Sequence, residues 1–191
     1  MNERTESRRI AVLVGSLRKQ SLNLRLAETL GKRVPAHVEW QILPLHELPL
    51  YNQDRDADMP EPVQRLKREI AAADGVVFIT PEYNRSIPGV LKNALDWASR
   101  PYGQNAFARK PGAVLGVSLG PVGTAVAQQH LRTVLAYLDV ATLGQPEVFI
   151  QHSEGLFGED GKVGKENVGQ LLQRWLDAYL RWVDTVRGAK A

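Results

Sequence analysis

Ile10-Ala-Val-Leu-Val-Gly-Ser-Leu-Arg-Lys-Gln-Ser-Leu-Asn23 is the stretch that decides the fold. Its first five residues are an unbroken apolar run of strand length. A strand with one wet face would alternate, so this one is buried on both faces, as strands of parallel sheets are. Gly15-Ser16 ends the run, and after five further positions, four of them polar, Leu22, Leu26 and Leu30 recur every fourth residue until Pro35 forbids continuation. That is a strand, a loop and a helix in order, the repeating half of an α/β protein.

The same alternation runs along the rest of the chain. Val38–Leu43 reads as a second strand. The polar, Pro- and Asp-rich stretch 44–59 connects it to a helix opened by Pro60 and Pro62, with Val63, Leu66, Ile70 and Ala73 on one face. Val76–Ile79 is a third strand, and Pro88 opens a helix carrying Leu91, Leu95 and Ala98. Ala113–Val117 is a fourth strand, followed by a helix over Val126–Leu138 and a fifth strand over Pro146–Ile150. A glycine-rich loop then leads to a last helix, periodic from Val168 to Arg187 through Trp175, Tyr179 and Trp182. Five βα units predict an α/β fold: a five-stranded parallel sheet of flavodoxin-like order 2-1-3-4-5 with helices on both faces. One domain spans 1–191, with residues 1–8 and 188–191 expected to fray. In this order the loops after strands 1, 3 and 4 meet at the topological switch point.

Composition narrows the chemistry. With 43% hydrophobic and 24% charged residues the 191-residue chain is globular rather than disordered or collagen-like. It has no cysteine, which excludes disulfides, thiolate nucleophiles and cysteine-held clusters, so redox chemistry needs a bound cofactor. Net charge is +3, with bases and acids interleaved, and no nucleic-acid stripe is expected. The polar start and the lack of any 18-residue apolar run predict no signal peptide and no membrane span, hence a cytoplasmic protein. His37, His46, His130 and His152 show no metal-binding spacing, and Asp54, Asp56 and Asp58 lack the glycine and closing Glu of a calcium loop, so no metal is expected.

Of the three convergent loops, the first offers hydroxyls at Ser16 and Ser21, an amide at Asn23, the Arg18 guanidinium and the free amides of a helix start, a set suited to a phosphate dianion. Ser21 or Ser16 serving only as a helix cap is the plain alternative. Neither G-x-x-x-x-G-K-[ST] nor G-x-G-x-x-G is present, which excludes the Walker and Rossmann phosphate sites. The third-strand loop supplies stiff Pro81, with Tyr83 and Asn84 as an aromatic wall and an amide for a flat heteroaromatic ring; a plain turn into the helix that starts at Pro88 is the alternative. Thr80 stands where a response regulator needs Asp, which removes that reading. Ser118-Leu-Gly-Pro-Val-Gly-Thr124 closes the fourth strand, and its glycines permit close approach or simply tight turning.

Residues 13–23, 80–97 and Gln128-Gln-His-Leu-Arg132 closely resemble the NADPH-dependent FMN reductase family, in its chromate and quinone reductase branch, with the likeness running from about Arg9 to Phe149. The resemblance implies noncovalent FMN and electron transfer from NAD(P)H to quinones, azo compounds, chromate or free flavin. Carried over, Ser16, Leu17, Arg18, Ser21, Leu22 and Asn23 hold the FMN phosphate. Pro81, Glu82, Tyr83, Asn84 and Arg85 border the isoalloxazine ring with Ser118 nearby, and Tyr83 and Arg85 face the second substrate. Gln20 and Thr124 depart from the family's usual glycines. The expected chemistry is a ping-pong hydride transfer through flavin N5, with no catalytic side chain. A flavodoxin-like electron carrier is the alternative, although such carriers use an acidic docking face and this chain is net positive. A homodimer or dimer of dimers (a homotetramer) is also expected, with Arg132 paired to Glu147 of another subunit.

Overall fold

The computed structural model describes residues 7–158 and 161–189. β1 (Arg8–Val14) lies between β2 (Val38–Leu43) and β3 (Gly75–Ile79), and β4 (Pro111–Ser118) follows β3, all parallel. Ile10 stands opposite Trp40 on one side and Gly75 on the other. The helices are α1 (Leu22–Gly31), α2 (Glu61–Ala72), α3 (Gly89–Ala98), α4 (Ala125–Tyr137) and α5 (Glu166–Gly188).

Alternation along β1 sorts the core into two layers. Ile10, Val12 and Val14 pack with Leu26 and Leu30 of α1 and with Leu172, Trp175 and Tyr179 of α5. Ala11 and Leu13 pack against α2, α3 and α4 through Leu66, Ile70, Leu91, Leu131 and Leu135. Trp175 and Tyr179 of α5 are therefore core, stacked at 5.6 Å between ring centroids, whereas Trp182 is half-buried and donates from Nε1 to Ala141 O at 2.6 Å. The connection after β2 is anchored on α3, where Asn93 bonds both Tyr51 N and Pro49 O at 2.8 Å and Trp97 Nε1 donates to Pro49 O.

The sheet keeps the expected order 2-1-3-4-5, but its outer position is shared by two short strands. β5 (Ala141–Thr142) pairs with Pro111–Gly112, and β6 (Phe149–Gln151) pairs with Gly116–Ser118. The strand expected over Pro146–Ile150 is thus corrected: Pro146 has no N–H to give a ladder, and pairing resumes only at Phe149. The frayed ends are corrected at their inner edges, since Arg8 already pairs with Val38 and Gly188 closes α5. Residues 1–6 and 190–191 lie outside the described residues. Among the described residues no helix is long and apolar enough to cross a membrane.

Candidate functional site

The carboxyl ends of β1, β3 and β4 open into one cleft of about 390 Å³. On its first wall, Ser21 caps α1, its buried Oγ accepting from Leu24 N at 3.1 Å. The cap uses the oxygen and leaves the hydroxyl proton free to be donated. The amides of Leu22 and Asn23 are first-turn donors without intrahelical acceptors. Ser16 and Arg18 line the same wall, and Arg18 is exposed, with no acidic partner among the described residues. Asn23 is different: its side chain is buried, with Nδ2 donating to Val117 O at 2.9 Å and Oδ1 accepting from Val117 N at 3.0 Å. The expected phosphate amide is thereby corrected. Beyond the β3 pairing that ends at Leu115, Asn23 supplies β4 with the partner a neighbouring strand would have given.

The second wall is a two-residue hairpin turn. Tyr83 and Ser86 exchange both backbone hydrogen bonds at 2.9 Å around Asn84 (φ 52) and Arg85 (φ 63). Two successive left-handed residues make a type I′ geometry, which Asn adopts readily and Arg does not. The turn leaves Tyr83 51% exposed at the cleft. Glu82, expected to border a ring, has its carboxylate turned to α4 instead. Oε2 accepts from Val126 N and Ala127 N, each at 3.1 Å, and Oε1 accepts from Arg85 Nη1 at 3.0 Å. Helix α4 has no cap from its own Thr124, so Glu82 is the anion at its N-terminus.

The third wall follows β4. The Ser118 hydroxyl is spent on Gly123 O, which folds the loop back on itself. Gly123 takes φ 63, and a Cβ there would meet the Phe149 and Ile150 backbone at about 3 Å, so glycine is required. Leu119 (68% exposed) and Val122 stand out at the rim.

Ser16, Arg18, Ser21, Leu22, Asn23, Pro81, Glu82, Tyr83, Arg85 and Ser118 thus all line the cleft, while Leu17 and Asn84 lie outside its lining. Sequence reasoning missed Leu119, Pro121 and Val122 as an apolar lip. Their signal was there, as large apolar residues inside a Gly- and Pro-containing loop, where no core face explains them. The departure at Thr124 points away from the cleft. Thr124 is fully buried, accepts from Gln128 Nε2 at 2.8 Å and packs over Gly116, where a Cβ would strike Thr124 and the Thr80 carbonyl. Gln20 is exposed and outside the lining.

The Arg132–Glu147 pair is corrected as well. Arg132 Nε lies 4.0 Å from Glu147 Oε1 of the same chain, and Nη1 donates to Leu143 O at 2.8 Å. Burial lowers the Arg132 pKa, against a smaller opposing pull from Glu147. Glu147 sits between β5 and β6 rather than on a strand, so this arginine ties down the connection between the two pieces.

Residues 8–155 match the family model of NADPH-dependent FMN reductase. The chain belongs to this family. Among similar proteins, a 2-hydroxy-1,4-benzoquinone reductase from Burkholderia sp is 50% identical over 175 residues, covering 92% of this chain and 96% of the relative. An NAD(P)H-dependent FMN reductase from Pseudomonas aeruginosa is 45% identical, covering 91% and 94%. The solved structure of FerB, a flavoenzyme NAD(P)H:(acceptor) oxidoreductase from Paracoccus denitrificans, superposes with a TM-score of 0.90 at 45% identity, covering 93% of this chain and 98% of that one. Family membership makes the protein an FMN-dependent oxidoreductase, and the cleft can be tested against that cofactor. The residues fit. Facing the α1 end are hydroxyl, amide and guanidinium donors, and the one carboxylate in the lining, Glu82, is already bonded to α4 and Arg85. A phosphate placed at the first wall would meet donors, and a flat ring placed at the mouth would meet Tyr83 and the apolar lip.

Proposed function

We propose that the protein oxidises NAD(P)H and reduces quinones in this cleft. The observation that carries the reading is the division of one cavity into a donor-rich wall at α1 and an apolar, aromatic mouth at Tyr83, Leu119 and Val122. The names of the 50% and 45% identical relatives support quinones and reduced nicotinamides as the substrates. FMN, when bound, supplies the two-electron exchange between the reduced nicotinamide and the acceptor. In this reading Ser16, Arg18, Ser21 and the Leu22 and Asn23 amides bind its phosphate. Pro81 and Tyr83 form the wall for a ring, and Arg85 at the rim meets a phosphate of the nucleotide. Asn23, Glu82 and Ser118 act by holding the three loops in place.

Donor and acceptor use the same mouth in turn, so the kinetics are ping-pong. Chromate, azo compounds and free flavin belong to the same proposal, because an open apolar mouth selects weakly among small oxidants. So do the cytoplasm as location and a homodimer or dimer of dimers. The groove between α3 and α4, of about 640 Å³ and flanked by the exposed Tyr102 and Tyr137, supports the assembly.

The test is turnover by purified protein with FMN, NADPH or NADH, and benzoquinone, followed by loss of nicotinamide absorbance. A reductase turns over unaided, with parallel double-reciprocal lines for ping-pong exchange. An absolute need for a second reductase protein would replace the proposal with an electron carrier.

A further inference from the structure

Two helices point their N-termini toward the cleft loops, and the protein treats them oppositely. At α1 the donors stay open. At α4 the carboxylate of Glu82, only 8% exposed, takes both first-turn amides with one oxygen and Arg85 with the other. Arg85 itself is 69% exposed, on a turn whose two central residues are left-handed. An exposed arginine normally samples many rotamers, and an exposed ion pair holds it weakly. Here its partner is immobilised by a helix end, so Arg85 is tethered to a fixed point at the rim.

We propose that Glu82 is a positioning residue with two separable tasks: Oε2 plugs α4 so that an anionic ligand finds open amides only at α1, and Oε1 holds Arg85 across the mouth for a phosphate of the nicotinamide nucleotide. The second task rests on the functional reading above, in which Arg85 meets the nucleotide. Use of different oxygens is what makes the tasks separable. In Glu82→Gln the amide oxygen still accepts from Val126 N and Ala127 N, while the NH₂ group cannot hold a guanidinium. In Glu82→Ala both contacts are gone.

The experiment compares wild type, Glu82→Gln, Arg85→Ala and the double variant as FMN-loaded enzymes. The KM for NADPH is expected to rise roughly threefold to tenfold in Glu82→Gln, with kcat per flavin and FMN affinity held within about twofold, because uniform nucleotide binding is what is lost. Arg85→Ala should reproduce that rise, and the double variant should be no worse than Arg85→Ala alone. A purely structural Glu82 would lower stability or kcat and leave KM in place. Amide NMR adds a readout independent of activity. The Val126 and Ala127 resonances should move together in Glu82→Ala, which removes the acceptor oxygen, and far less in Glu82→Gln, which keeps one. The inference is overturned if Glu82→Gln leaves KM unchanged, if the two effects multiply, or if those amides stay in place in Glu82→Ala. An Arg85→Ala enzyme with wild-type KM also overturns it while leaving the reductase reading intact. A wild type that oxidises no NADPH removes that reading and the Arg85 task together, while the amide resonances of Glu82→Ala and Glu82→Gln still decide the plug.

Discussion

Replacing Asn23 with leucine, which has nearly the same shape, should cost stability and spare the cofactor. The Asn23 amide is the partner of both backbone groups of Val117, at 2.9 and 3.0 Å, and both residues are buried. The leucine variant leaves an N–H and a C=O unpaired in the interior, each worth about 1–3 kcal/mol, and partial relaxation brings the total to roughly 2–4 kcal/mol. For a chain of this size, at about 2–4 °C per kcal/mol, the melting temperature should fall by roughly 4–16 °C. The assay is thermal or urea unfolding of the apo-protein, paired with FMN titration well below the transition. Affinity there should change by no more than about threefold, since the Asn23 backbone amide, the group left facing the cleft, is untouched. An unchanged melting temperature together with FMN binding weakened by about tenfold, or 1.4 kcal/mol, would refute the reasoning and return the side chain to the phosphate.

Arg18→Ala should show the reverse pattern: with no partner among the described residues to lose, stability should hold, while FMN binding weakens by about 1.5 kcal/mol, the low end for an exposed charge-assisted bond, and less at high salt. An unchanged dissociation constant would remove Arg18 from the site. Burial raises the Tyr179 phenol well above its ordinary value of 10.0, with Asp74 adding to the rise. A phenol held neutral in the fold but ionising at its ordinary value when unfolded contributes fully below pH 10 and loses that contribution as pH rises past it. Tyr179→Phe should flatten the alkaline loss in pH-dependent melting. It should also add about 1 kcal/mol at neutral pH, because the buried hydroxyl has no hydrogen-bond partner among the described residues. Light scattering should give a mass of two or four chains for the wild type, unshifted by Arg132→Ala, whose contacts to Glu147 and Leu143 are internal. A monomer would end the oligomer proposal.

The parallel sheet was legible because its strands are unbroken apolar runs, a pattern that depends only on neighbours in sequence. β5 was not, since two residues carry no period, and Pro146 masked a ladder that resumes three residues later. Within the site, Ser16, Arg18 and Ser21 could be read from residue type and from the start of α1, both local facts. Asn23 and Glu82 could not, for the same residue types serve as ligands or as braces depending on what faces them. Val117 is 94 residues from Asn23, and Val126 is 44 from Glu82. Leu119 and Val122 were passed over because apolar residues default to the core, and only the three-dimensional path of their loop leaves them at the rim.

The braces explain how a cleft made of three loops holds a shape at all. Backbone hydrogen bonds hold the roots of these loops, with Gly15 N donating to Ile79 O, Thr80 N to Leu115 O and His152 N to Ser118 O, and a side chain ties each loop further: Asn23 of α1 to the end of β4, Glu82 to the start of α4, and Ser118 across its own turn to Gly123. Two of the three ties use polar groups that would otherwise compete for a ligand's phosphate. The carboxylate that would repel it is neutralised by α4 and Arg85, and the amide that could bind it is turned inward. What remains facing the cleft at α1 is donors only, whereas Tyr83, Leu119 and Val122 at the mouth offer apolar surface. On the proposed reading an anionic, ring-bearing cofactor would bind with its phosphate toward α1 and its ring toward the mouth, because reversal would strip water from the phosphate against apolar side chains and leave the helix donors unpaired.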